Sequence, residues 1–120
     1  MRIHGLLGLA LVVSACSTPA PPALAARVSC VPETHLLRQL CTVTLTHRDT
    51  GRSLDGATVT LSADMPSMPL AHSVRPVRAK AGGGGIYSGV LELEMTGRWV
   101  IAVRITGPVS DQITHTLDIR

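Results

Sequence analysis

Beyond residue 40, apolar side chains recur at every second position over most of the chain. That spacing limits what the chain can fold into more than any motif does. A period of two sends alternate side chains to opposite faces of an extended strand, whereas a helix needs a period near 3.6. "CTVTLTHR" sets Cys41, Val43 and Leu45 against Thr42, Thr44 and Thr46. "ATVTLSA" sets Ala57, Val59 and Leu61 against Thr58, Thr60 and Ser62, and "IYSGVLELEM" sets Tyr87, Leu91, Leu93 and Met95 against Ser88, Glu92 and Glu94. "RWVIAVRI" turns Trp99, Ile101, Val103 and Ile105 inward, and "DQITHTLDI" does the same with Ile113, His115, Leu117 and Ile119. Weaker strands are expected near residues 28–31 and 73–79; Pro76 confines the second to a sheet edge because it cannot donate to a ladder. Only "PETHLLRQL", residues 32–40, offers a helical turn. "GGGG", residues 82–85, reads as a loose hairpin tip, since no strand–loop–helix context supports a phosphate cradle. The pattern predicts an all-β domain, an Ig-like antiparallel β-sandwich of about seven short strands.

The N-terminus reads as an address rather than as part of the fold. Arg2 is followed by an apolar run from Leu6 to Val13, too short to cross a bilayer as a helix, which needs about 20 apolar residues. The run ends in "VSAC", small residues directly before Cys16, the pattern of a bacterial lipobox. The expected organisation is a lipoprotein signal peptide over 1–15, then a lipidated Cys16 and a Pro/Ala-rich tether over 16–26, with the folded domain over 27–120. An ordinary signal peptide cut at "ALAA" is the alternative. Acyl chains on Cys16, at about 0.8 kcal/mol per buried methylene, make a firm anchor. Ser17 after the Cys fits a periplasm-facing protein of the outer membrane.

Two cysteines, Cys30 and Cys41, remain once Cys16 is set aside. In an exported chain an even pair reads as a disulfide. It closes a loop of roughly a dozen residues and contributes on the order of 3 kcal/mol.

Composition narrows the function classes. Net charge is +3, and the chain has one Trp, one Tyr and no Phe. The charge is too mild for nucleic acid and the stacking platforms are missing. There is no nucleophile elbow and no paired metal-protease histidines, and Glu92 and Glu94 read as solvent-face residues. No catalytic residue is expected.

One cluster has chemistry to offer. "DMPSMPLAHSV" places Met65, Met68 and His72 within eight residues. Met95 lies ahead of a turn that can reach the same end of a sandwich, and His47 and His115 are further donors. Thioether sulfur with imidazole suits Cu(I). The competing reading is a hydrophobic cap: Met65 continues the inward phase of Val59 and Leu61, and Met fills irregular gaps well.

"DGATV", "MPSM", "GIYSG" and "MTGRW", in that order, resemble the YtkA-like domain, related to FixH-type proteins. The resemblance runs from about Leu40 to Ile105. It implies a sandwich in an exported or membrane-attached setting, and an association with copper handling or metal efflux. FixH-type proteins carry a transmembrane helix that has no counterpart here, and the Cys30–Cys41 pair is an addition. In the shared motifs, Tyr87 is expected to bond a loop carbonyl, Gly97 to make the turn between Met95 and Trp99, and Trp99 to centre the core. The functional expectation is a non-enzymatic envelope lipoprotein, held to the membrane by its lipid. It either binds copper through Met65, Met68, His72 and Met95, or serves without metal as an interaction module for an envelope protein partner.

Overall fold

The computed structural model describes residues 12–14, 23–68 and 73–120. The expected lipidation site Cys16 and the candidate ligand His72 lie outside these residues. Every described element is a strand: β1 (Leu24–Pro32), β2 (Arg38–His47), β3 (Thr58–Asp64), β4 (Ser73–Arg78), β5 (Lys80–Gly83), β6 (Ile86–Glu92), β7 (Gly97–Thr106) and β8 (Asp111–Ile119). They form two four-stranded antiparallel sheets, ordered β1-β2-β6-β5 and β4-β3-β7-β8. The all-β sandwich read from the alternation is the architecture found, with eight strands rather than about seven.

The extra strand arises at Ala79. There the chain leaves one sheet as β4 and enters the other as β5. Ala79 is buried, and its N–H donates to the Val59 carbonyl at 2.8 Å. One extended segment thus edges both sheets, with Pro76 on the edge strand as expected.

The core follows the period-two phase. Cys41, Val43 and Leu45 of β2 meet Val59 and Leu61 of β3, Tyr87 and Leu91 of β6, and Trp99, Ile101, Val103 and Ile105 of β7, all essentially without solvent contact. Trp99 is the largest of these side chains; its indole N–H donates to the Met95 carbonyl at 3.1 Å. Tyr87 is anchored as expected: its hydroxyl donates to the Leu54 carbonyl at 2.8 Å and accepts from the Ala57 N–H at 3.2 Å. Both polar demands of the loop before β3 are met by one buried aromatic tip.

Three local expectations are corrected. The stretch 32–40 holds no helix; it is a turn, with Arg38 N–H donating to the His35 carbonyl at 3.0 Å, followed at once by β2. The register is the cause. Cys30 stands opposite Cys41 and Pro32 opposite Gln39, which leaves too few residues for anything but a reversal. The tether assigned to 16–26 ends earlier, because β1 begins at Leu24, which is buried and pairs with His47. The glycine run is not a loose tip. Gly82 and Gly83 belong to β5, and Gly84–Gly85 form a two-residue turn with φ of +63° and +75°, the positive pair that a type I′ hairpin requires.

Cys30 and Cys41 form the expected disulfide, with Cα atoms 4.1 Å apart. It joins neighbouring strands of one sheet rather than bridging the two sheets.

Candidate functional site

Strand direction divides the loops between two poles. One pole gathers the start of β1, the end of β2 and the Gly84–Gly85 turn. The other gathers the β1–β2 turn, the segment after β3 and the β6–β7 loop. The methionines collect at this second pole, opposite the point where the chain enters the domain.

Met65 directly follows β3, and a turn ties it to Met68, whose N–H donates to the Met65 carbonyl at 3.0 Å. Pro66 pre-sets φ for the second position of this turn. Across the pole, Gly97 opens β7 with φ +136°. A Cβ on Gly97 would lie 2.6 Å from the Met65 methyl carbon, so the Met65 tip lies directly against the Gly97 backbone; the positive φ is what favours glycine there. Met95, two residues earlier, packs half-buried against the core. Two of the predicted sulfur residues therefore belong to segments that adjoin at one corner.

Their exposures differ sharply. Met65 is 3% exposed and belongs to the core, whereas Met68 is 40% exposed. The two histidines considered as further donors stand elsewhere. His47 ends β2 at the opposite pole, facing Leu24, and His115 sits on β8 opposite Ile101, two strands away from β3. No group of three or more His, Cys, Asp and Glu is placed to hold a metal among the described residues. The cap that the phase of Met65 suggested is thus physically present, and the soft donors that the described residues offer at this pole are thioethers.

The same pole exposes apolar surface that periodicity did not single out. Val31 at the end of β1 is 51% exposed and Leu36 in the β1–β2 turn is 43% exposed. The turn is braced from below. The Leu93 N–H donates to the Leu37 carbonyl at 2.8 Å, and the Gln39 amide N–H donates to the Leu36 carbonyl at 2.6 Å. Gln39 is itself buried, and its Oε1 has no hydrogen-bond partner among the described residues. The available signal was its inward phase with Cys41, a polar residue where the pattern calls for an apolar one. Beside the turn, Arg38 bonds Glu33 at 2.9 Å and also Glu92, its cross-strand partner. These two carboxylates raise the Arg38 pKa above its ordinary value. The group is solvent-facing, as expected for Glu92, and charge pairs of this kind contribute little to stability.

A family model for YtkA-like proteins matches residues 31–104. The chain belongs to the YtkA-like family. No curated protein and no solved structure matches it. The family match runs from the end of β1 through most of β7, so it contains the Met65–Met68 turn, the Tyr87 anchor and the Gly97–Trp99 corner. Each of these shared motifs has a packing role in the fold. Tyr87 fastens the loop before β3, and Gly97 lies against the Met65 methyl at the start of β7.

Proposed function

We propose that this YtkA-like protein is a non-enzymatic envelope lipoprotein, anchored through Cys16, that uses the pole far from its anchor to engage an envelope protein partner. The observation that carries the reading is the placement of Val31, Leu36 and Met68. These three exposed large apolar side chains share one pole, against Ile86 alone at the other among the described strands and turns, while a braced turn and a buried Met65 hold the pole in shape. Exposed apolar anchors on a rigid support are what protein interfaces are built from. The strand order also fits the Ig-like reading: β1-β2-β6-β5 against β3-β7-β8 is the layout of an Ig constant-type sandwich, with β4 added at one edge.

A second reading is favoured by one observation of its own. The segments that carry Met65, Met68 and Met95 lie at this one pole, and thioethers suit Cu(I). Burial of Met65 weighs against it, because a sulfur already packed in the core would have to turn outward.

One experiment separates the two. A photo-crosslinking residue is placed at position 36 or 68 of the full chain in its own envelope, and at Thr114, an exposed position within β8 away from this pole, as a control. The interaction reading expects one defined adduct from the pole and none from Thr114, unchanged when copper is chelated. Equal labelling from Thr114 would refute it. An adduct absent from the pole, together with sub-micromolar Cu(I) binding lost in Met68→Ala, would establish the metal reading instead.

A further inference from the structure

The outer face of the β4-β3-β7-β8 sheet carries a feature that neither pole explains. Thr60 pairs with Arg78 on one side and with Arg104 on the other, and Arg104 pairs with Gln112. One row, Arg78–Thr60–Arg104–Gln112, therefore crosses all four strands. Strand spacing places the two arginine Cα atoms about 10 Å apart with the Thr60 hydroxyl between them. Arg78 and Arg104 are exposed. Beside the row lies a groove of about 310 Å³ lined by Thr60, Ser62, Pro76, Ala102, Arg104 and Gln112.

The charges here are unbalanced. Arg98, further along the same face, is paired with Asp118 at 3.0 Å, and Arg38 on the other sheet has two carboxylates. Arg78 and Arg104 have no ion-pair partner among the described residues. Like charges flanking one residue repel, and the fold gains nothing from placing them so. An anion between them would reverse the sign of that interaction.

We propose that this row is a binding site for a phosphate monoester. The class follows from charge and shape. A monoester carries close to two negative charges at neutral pH, one for each guanidinium, and offers three acceptor oxygens. Arginine forks match such oxygens two at a time, and the Thr60 hydroxyl and Gln112 amide can take what remains. A carboxylate would leave one arginine unmatched.

The test uses the full chain, labelled with 15N and held in a neutral detergent at low ionic strength, with inorganic phosphate as the probe. Saturable amide shifts centred on Thr60, Ser62, Arg104 and Gln112 are expected. Arg104→Gln and Arg78→Gln should each weaken binding by about tenfold. Arg98→Gln, on the same face but paired, should bind as the parent does. All three positions are exposed, and an unchanged amide spectrum verifies that each variant is folded. Four results would each overturn the proposal: no saturation below about 10 mM phosphate, acetate binding as tightly as phosphate, Arg98→Gln weakening binding as much as Arg104→Gln, or both row variants binding within twofold of the parent.

Discussion

Gly84 and Gly85 are adjacent, share the sign of φ and form one turn, yet alanine should be tolerated at the first and not at the second. At Gly84 a Cβ would meet nothing within 4 Å, so Gly84→Ala costs only the left-handed backbone, roughly 1–2 kcal/mol. At Gly85 a Cβ would lie 2.4 Å from the Leu45 carbonyl oxygen and 3.2 Å from the Ser53 Cβ. Neither neighbour is the far end of a flexible side chain, so the turn itself must move. Two hydrogen bonds depend on its position: Leu45 N–H to the Gly85 carbonyl at 2.8 Å and Gly85 N–H to Asp55 Oδ1 at 2.9 Å. Weakening both adds about 1 kcal/mol each to the backbone cost, for a total of roughly 3–4 kcal/mol. Urea unfolding of the full chain reads the difference. With a slope of about 1–1.5 kcal/mol/M, the Gly85→Ala midpoint should fall more than about 1 M below that of Gly84→Ala. Equal midpoints would refute the steric argument and restore the picture of a loose tip.

The methionines and the disulfide supply two further predictions. Met65→Ala should cost about 2–5 kcal/mol by emptying a core site, while Met68→Ala should stay within about 0.5 kcal/mol. Comparable losses in thermal unfolding would mean that the two do not divide into core and surface. Reducing Cys30–Cys41 opens a loop of sequence separation 11 and should cost about 3 kcal/mol, seen as a lower Tm with reductant. Two titratable thiols in protein exported to an oxidising compartment would remove the bond from the account.

Features that depend on one strand and its own phase could be read from the residues alone. Tyr87 was legible because an aromatic in core phase beside a loop has one economical place for its hydroxyl. Pro76 was legible because a missing N–H restricts it to an edge. What escaped reading depends on pairing between distant segments. The constraint on Gly85 comes from the Leu45 carbonyl, on a strand far earlier in the chain. The helical turn suggested at 32–40 lost to the register that sets Cys30 against Cys41. The row through Arg78 and Arg104 exists only once the registers of β3 with β4 and of β3 with β7 are both known.

The boundary at Leu24 was hidden for the same reason, and it bears on the function proposed above. "ALAA" has the composition of a linker; it becomes strand because Leu24, Ala25 and Ala26 pair with His47, Thr46 and Leu45. For a chain anchored at Cys16, eight residue steps then separate the lipid from the sheet, a reach of at most about 29 Å at 3.3–3.6 Å per residue. A strand of 9 residues such as β1 spans about 30 Å at roughly 3.3 Å per residue. The full reach of such a tether therefore matches the span of the strand. If the domain stands upright on its anchor, Leu36 and Met68 lie at most about 60 Å from the bilayer surface, the sum of those two spans. Swinging a domain so anchored would bring the pole down to that membrane. Under the proposed anchoring, a partner would have to present its contact within that span, and lengthening the tether should extend the range without altering the contact.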